Sequence, residues 1–140
     1  KAWQEARVLV KMVYEVVKFD KGFGSDYKLR EQIQSAAVSI MSNIAEGFSR
    51  RSTKELTQFL FIAKGSSAEV QSQLYVALDQ GYISQDKFNE LYLKSDEVAR
   101  LISGFIKYLL SNSRNPIDST NPTNSKNSTN WVVERRKGEA

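Results

Sequence analysis

The chain has 140 residues, a formal net charge of +4 and a sequence pI near 9.3, which allows one domain with a tail. It contains no cysteine and no histidine, which excludes disulfides and thiol chemistry and removes the commonest general base and metal ligand. Both prolines lie in the last quarter, a pattern typical of long helices.

Targeting and membrane signals are missing from the sequence. No apolar run reaches the roughly 18–20 residues that a membrane helix needs, and the first residues mix acids and bases without a signal-peptide pattern. The chain starts without Met inside a helical pattern, so we expect a short N-terminal piece to precede it. We therefore expect a cytoplasmic protein that does not bind membranes.

A first helix is predicted from Ala2 to about Phe19, because apolar residues recur there at spacings of three and four. Two apolar stripes run along it. They are Trp3, Ala6, Val10, Val13 and Val17, and beside them Leu9, Met12, Val16 and Phe19. Two explanations fit equally well: a central, well-buried helix, or a second stripe that meets another subunit.

A glycine-containing loop is predicted over residues 20–25, with Ser25 or Asp26 as the cap of the next helix. The second helix then runs over residues 26–46, and Gly47 is predicted to stop it because glycine tolerates a left-handed backbone. Its small residues predict a close neighbour.

A third helix is predicted to begin at a capping box, in which Ser52 and Glu55 satisfy each other's backbone N–H groups. Gly65 lies in the middle of this helix and costs roughly 1 kcal/mol against alanine, so we expect a close helix contact there. The helix ends at about Gly81, and Ser84 caps a fourth helix that runs to about Asn112.

Four helices with short connections predict an all-α fold, an antiparallel up-down-up-down four-helix bundle over residues 1–112. Residues 113–140 are predicted to form a low-complexity, disordered C-terminal tail, because residues 113–130 are rich in Ser, Thr, Asn and Pro. Trp131–Ala140 is either a short partner-binding motif or an ordinary solvated tail.

A set of polar residues lies among the regularly spaced apolar residues of the second and third helices: Ser39, Asn43, Glu46, Ser52, Glu55, Ser66 and Glu69. If the chain turns back at residues 47–52, the second and third helices lie side by side, with Asn43 opposite about Leu56 and Ser39 opposite about Leu60. The same pairing permits an ion pair between Arg30 and Glu69. One interpretation is a structural polar network that fixes helix register. The other is a surface that meets a ligand or partner.

Basic residues gather at or near the same two helices, and they are the candidate nucleic-acid-binding residues: Arg50, Arg51, Lys54, Lys28, Arg30 and Lys64. Arg50, Arg51 and Lys54 lie at the turn, where helix N-terminal N–H groups assist phosphate binding. Ordinary surface charge is the alternative. No catalytic residue, metal site or cofactor is predicted, since carboxylate sites in bundles usually carry Glu-x-x-His pairs.

Several motifs resemble the four-helix-bundle family encoded in intervening sequences of bacterial 23S ribosomal RNA genes. The resemblance covers about residues 2–110. It rests on Gln32-Ile33, Ala36-Ala37-Val38-Ser39-Ile40, Asn43-Ile44-Ala45-Glu46-Gly47, Arg50, Ser52, Glu55, Phe59-Leu60, Ile62-Ala63, Gly65-Ser66, Glu69 and Gly81-Tyr82-Ile83, with Trp3 and Ala6 at the start.

The resemblance implies a ring-like homo-oligomer, a pentamer, and kinship with the accessory variability proteins of diversity-generating retroelements, which are basic bundles that associate with a reverse transcriptase and RNA. Family members commonly carry basic residues where this chain has Gln34 and Ser35, which puts direct RNA binding in doubt. The expected function is a non-enzymatic homo-oligomeric bundle that binds RNA or an RNA–protein complex. The alternative is a protein-interaction scaffold without nucleic-acid binding.

Overall fold

The computed structural model describes residues 1–113, which form five helices and no strand. The helices are α1 (Ala2–Phe19), α2 (Lys21–Ser25), α3 (Tyr27–Ser49), α4 (Thr53–Asp79) and α5 (Gln85–Ser113). The second, third and fourth helices expected from the sequence correspond to α3, α4 and α5. Residues 114–140 of the predicted tail, including Trp131–Ala140, lie outside the described residues. Within those residues, no helix combines the length and apolarity needed to cross a membrane.

Side-chain caps define where four of the helices begin. In each case a carboxylate or hydroxyl oxygen accepts the backbone N–H three residues further on. The pairs are Asp20 with Phe23 (2.8 Å), Asp26 with Leu29 (3.1 Å), Ser52 with Glu55 (3.1 Å) and Ser84 with Lys87 (3.1 Å). The caps predicted at Asp26, Ser52 and Ser84 are therefore present. The return bond from the Glu55 carboxylate is not formed among residues 1–113.

The end of α4 is a Schellman turn centred on Gly81. The Tyr82 N–H donates to the Ala77 carbonyl at 2.9 Å, and the Gly81 N–H donates to the Leu78 carbonyl at 3.0 Å. Gly81 has a φ of 75°, which is the left-handed region that side chains with a Cβ rarely adopt. The glycine therefore allows the chain to reverse tightly into α5.

The four long helices surround one core. α3 packs mainly against α1 and α4, and α5 packs mainly against α4 and α1. Side-chain contacts join neighbouring helices: Ser39 lies against Ser66 across α3 and α4, and Phe88 packs on Tyr75 across α5 and α4. The largest fully buried side chains are Phe23, Leu9, Ile33, Ile40, Ile44, Leu60, Leu74, Leu91 and Ile102.

The loop predicted over residues 20–25 is wrong, because this segment forms the short helix α2. Phe23 is completely buried and stacks on the Tyr82 ring with 5.4 Å between ring centroids. Burial of this side chain and the Asp20 cap offset the cost of two glycines in one turn. Tyr82 also donates its hydroxyl to Asp26 at 3.0 Å, which fixes α2 against the α4–α5 turn.

The helix stop predicted at Gly47 is also wrong, because α3 continues to Ser49. Gly47 is buried at the crossing of α3 and α4, where an added Cβ would come within 3.0 Å of a Leu56 side-chain carbon and 3.1 Å of the Phe59 Cβ. The glycine thus permits close approach of two helices and does not supply a left-handed turn. The chain leaves α3 at Arg50, which is extended.

The close helix contact expected at Gly65 is absent within residues 1–113. A Cβ at this position would meet no atom within 4 Å, and Gly65 is exposed on α4. The neighbour that contacts α3 is instead Ser66, one residue further on. The roughly 1 kcal/mol helix cost of this glycine is therefore not compensated by any contact that these residues make.

The explanation of α1 as a central, buried helix fits most of its two apolar stripes, but not the last residue of the second stripe. Leu9 and Val16 of the second stripe are buried, Met12 is partly buried, and Phe19 is 93% exposed. Most residues of the two stripes are therefore buried in the core, as a central helix requires. The far end of the second stripe is left uncovered by residues 1–113.

Candidate nucleic-acid interface

A compact polar bridge joins α3 to α4 through three side chains. The hydroxyls of Ser39 and Ser66 lie 2.9 Å apart. The Asn43 amide donates to the Ser39 hydroxyl at 2.9 Å and to the Ser39 carbonyl at 2.8 Å. Because Ser66 is 6% exposed, these partners satisfy polar groups that would otherwise be buried alone. The bridge therefore acts as a register device between the two helices.

Four residues of the predicted polar network lie outside this bridge. Glu46 is exposed and pairs with Arg50. Ser52 and Glu55 belong to the exposed cap of α4, and Glu69 is exposed without a partner among residues 1–113. Glu69 lies outside the bridge because the register by which α3 and α4 pair differs from the predicted one, as the contact between Ser39 and Ser66 shows.

The predicted level positions are wrong for the same reason. Ser39 lies opposite Ser66 and not Leu60, and the predicted Arg30–Glu69 bridge is not formed. The Arg30 guanidinium instead donates to the Gly24 carbonyl at 2.9 Å and lies over the Tyr27 ring at 4.6 Å from its centroid. Arg30 thus ties α2 to α3.

The corner between α3 and α4 exposes three basic side chains, Arg50, Arg51 and Lys54. Arg50 is held on the surface, since it pairs with Glu46 and lies over the Phe59 ring at 5.0 Å from the centroid. One face of its guanidinium is therefore committed to an aromatic ring and one edge to a carboxylate.

Arg51 and Lys54 are exposed and make no hydrogen bond or ion pair with residues 1–113. Both lie beside the N-terminus of α4, where backbone N–H groups and the helix dipole favour an anion. Their charges are therefore free to meet phosphate groups, whereas the charge of Arg50 is largely balanced by Glu46.

A further basic residue at this end of the protein was missed from the sequence. Lys107 of α5 and Lys64 of α4 line one shallow surface groove together with Ser103 and Leu110. The short connection between α4 and α5 could have indicated this, because consecutive helices joined by a short turn tend to pack side by side. Beside Lys107, the Tyr108 ring is 39% exposed and stacks on Phe105 at 6.1 Å.

Phe105 joins this groove to the corner, because its ring stacks on Phe48 near the end of α3 at 5.5 Å. The surface that runs from the α3–α4 corner to the middle of α4 therefore presents Arg50, Arg51 and Lys54 together with Lys64, Lys107 and exposed aromatic surface. We call this set the basic end. Cations beside aromatic rings are typical of surfaces that bind single-stranded nucleic acid.

Lys28 and Arg30 do not belong to the basic end. They lie in the first turns of α3, about 30–33 Å along the helix from Arg50 at 1.5 Å per residue. Lys28 is exposed there, and the Arg30 guanidinium contacts the Gly24 carbonyl and the Tyr27 ring. Of the six candidate residues, Lys28 and Arg30 are thus separated from the other four by the length of α3.

The outer face of α4 carries an apolar surface around Gly65. Phe61 is 50% exposed and Ile62 is 51% exposed, and they flank Gly65 one turn before it. Ala68 and Glu69 flank it one turn after, and both are exposed. We call Phe61, Ile62, Gly65 and Ala68 the α4 outer face.

In the part of the chain that the structure describes, no three carboxylates come close enough together to hold a metal ion. At the basic end, exposed cations and aromatic rings are groups that can bind anions and nucleic-acid bases.

The chain resembles one solved structure in its fold. That structure is described as a protein with unknown function from the S23 ribosomal protein family of Bacteroides thetaiotaomicron VPI-5482. The TM-score is 0.72 at 20% identity, and the match covers 76% of this chain and 99% of the other. At this identity the likeness concerns the fold alone. No curated protein matches the chain.

The family expected from the sequence motifs is confirmed by a family model. The model described as 23S rRNA-intervening sequence protein matches residues 1–104, which span α1 to α4 and most of α5. The matched range includes the Ser39–Asn43–Ser66 bridge and the whole α3–α4 corner. The chain therefore belongs to the 23S rRNA-intervening sequence protein family.

Proposed function

We propose that this protein is a non-enzymatic, homo-oligomeric helical bundle that binds RNA, or an RNA–protein complex, through its basic end. The observation that carries the proposal is the pair Arg51 and Lys54, exposed beside the N-terminus of α4 without any partner in residues 1–113. Lys64 and Lys107 extend the same charge along the groove between α4 and α5. Phosphate contacts by such residues supply most non-specific affinity for nucleic acids.

The same proposal includes the arrangement of the helices within one subunit. We infer an antiparallel up-down-up-down four-helix bundle, with α2 as an insertion between the first two long helices. The support comes from the two cross-helix pairs Ser39–Ser66 and Tyr75–Phe88 and from the short connections. In this arrangement the C-terminal end of α5 and the α3–α4 corner share one end of the bundle.

Self-association is proposed to use the α4 outer face. Half-exposed Phe61 and Ile62 beside an exposed mid-helix glycine form a surface on which another helix can pack closely. A closed ring, such as the pentamer implied by the family resemblance, repeats the basic end on every subunit and raises the local positive field. A reverse transcriptase bound to its RNA is the RNA–protein complex that the resemblance to retroelement accessory proteins indicates.

Binding of a single-stranded RNA to the full-length protein, with matched charge removals, tests the basic end. The variant Arg51→Ala/Lys54→Ala removes two unpaired cations at the corner, and Lys28→Ala removes an exposed lysine at the opposite end of α3. We expect the corner variant to bind at least tenfold more weakly and Lys28→Ala to bind within about twofold of the native protein. Equal affinities of all three proteins would contradict the proposal.

The second candidate function is a protein-interaction scaffold without nucleic-acid binding. The α4 outer face favours it, because an apolar surface of this kind serves protein contacts and not phosphate contacts. The variant Ile62→Glu, which introduces a negative charge on the α4 outer face, separates the two functions. A scaffold loses its assembly and has no RNA affinity to lose, whereas an RNA-binding ring loses assembly and avidity together.

A further inference from the structure

A groove at the opposite end from the α3–α4 corner has an apolar floor and an acidic rim. It is formed between the last turns of α1 and the α4–α5 turn and has a volume of about 620 Å³. Its floor includes Met12, Val16 and Ile83, and Phe19 stands at its edge with 93% of its surface exposed. No other large hydrophobic residue in residues 1–113 is as exposed as Phe19.

The charges around the groove are mainly negative. Glu15, Asp20 and Glu90 line it, and Lys87 is the basic residue among its lining residues. Lys87 is paired with Glu90 at 2.9 Å, and Asp20 also caps α2 through one carboxylate oxygen. A fitting occupant is therefore apolar at its centre and basic at its flank.

The C-terminal segment of this chain has that composition. Residues 114–140 contain one cluster of large apolar residues, Trp131-Val132-Val133, and it is followed after Glu134 by Arg135-Arg136-Lys137. The apolar cluster matches the floor of the groove, and the basic run matches its acidic rim. We propose that Trp131–Lys137 docks in the groove of its own chain.

The length of the chain permits this contact. The groove lies beside Lys87, about 39 Å along α5 from Ser113 at 1.5 Å per residue. Residues 114–130 can span up to about 56–61 Å when extended. The segment therefore reaches its own groove with length to spare, and covering Phe19 removes apolar surface from water.

The fluorescence of Trp131 in the full-length protein tests the docking. The difference between the native protein and Trp131→Phe isolates the emission of this side chain from that of Trp3. Docking predicts a blue-shifted emission and several-fold weaker quenching by acrylamide than for a free tryptophan. The variants Phe19→Ser and Glu15→Lys alter exposed groove residues and should restore strong quenching. The control Leu93→Ser, on an exposed position of α5, should not.

Two results would overturn the proposal. One is a Trp131 that is quenched as strongly in the native protein as in the groove variants. The other is protection that disappears when the protein is diluted, since this would place the segment on a different copy. Because no nucleic acid is present in this experiment, its outcome is independent of the RNA-binding proposal.

Discussion

The hydroxyls of Ser39 and Ser66 lie 2.9 Å apart and join the middle of α3 to the middle of α4. Asn43 completes the bridge by donating to both the hydroxyl and the carbonyl of Ser39. This contact is the point at which the sequence motifs of α3 and α4 meet, and it fixes the register from which the α3–α4 corner follows.

Loss of the bridge should lower stability without affecting nucleic-acid binding. We expect Asn43→Ala to reduce the free energy of unfolding by about 1–3 kcal/mol, because it removes two hydrogen bonds and leaves the Ser39 hydroxyl with fewer partners. Ser42→Ala, at an exposed position of the same helix, is the matched control and should change stability by less than about 0.5 kcal/mol. Urea denaturation measures both, and equal stabilities would show that the bridge does not stabilise the fold.

Gly47 of α3 and Gly65 of α4 should respond in opposite ways to alanine. Gly47→Ala should destabilise by about 1–3 kcal/mol, because the new Cβ would press on Leu56 and Phe59. Gly65→Ala should stabilise an isolated subunit by up to about 1 kcal/mol, since the site is open and alanine favours a helix. Thermal unfolding of the two variants under one condition measures the difference, and a shift in the same direction would contradict these roles.

Self-association should depend on the open space at Gly65. Gly65→Leu places a large side chain where the α4 outer face is proposed to meet another copy, and we expect it to lower the assembly mass. Gly104→Leu is the matched control, because Gly104 of α5 is also exposed with open space around it. Light scattering on both variants measures the mass, and an unchanged assembly in Gly65→Leu would exclude this face as the contact.

Alkaline pH should weaken the contact between α1 and α5. Hydrogen bonds from the Lys94 ammonium to Glu5 at 2.8 Å and to Glu97 at 2.9 Å raise the pKa of Lys94. Because the pKa is higher in the folded state, the contribution is complete below the unfolded value of about 10.4 and is lost as the pH rises through the folded value. The unfolding free energy should therefore fall more between pH 9 and 11.5 in the native protein than in Lys94→Met.

Lys11→Met, on an exposed position of α1, is the control for that comparison and should keep the native pH dependence. Tyr82 should also lose a stabilising contribution at alkaline pH, because its hydrogen bond to Asp26 raises the pKa of the Tyr82 hydroxyl in the folded state. Tyr82→Phe should therefore also flatten the alkaline loss. An identical pH dependence in the native protein and both test variants would contradict the assignment.

The sequence predicted the helices well because their signals are local. Ser52 and Ser84 cap the helices that they were expected to cap, and apolar spacing located α1, α3, α4 and α5 within a few residues. The family motifs were local as well. A polar network between the second and third helices was also expected, but the contact between Ser39 and Ser66 was not, because Ser39 was expected opposite about Leu60.

Errors arose where a residue's role depends on its tertiary neighbours. Gly47 resembles a helix stop, but close packing on Leu56 and Phe59 explains it. α2 forms because Phe23 is buried against Tyr82, a partner far along the chain. The predicted register of α3 on α4 assumed a turn at residues 47–52, whereas the observed contact between Ser39 and Ser66 sets a different register in which Arg30 and Glu69 do not pair. Lys107 was missed because its neighbours come from a different helix.

The salt dependence of RNA binding tests the central claim most directly. Affinity of the native protein for a single-stranded RNA is measured from 50 to 300 mM salt, beside Arg51→Ala/Lys54→Ala. Phosphate contacts release counterions, so we expect a clearly negative log–log slope for the native protein and a slope shallower by about 1.4 per subunit in the variant, at about 0.7 for each lost contact. A native slope near zero, or identical slopes for the two proteins, would contradict RNA binding by the basic end.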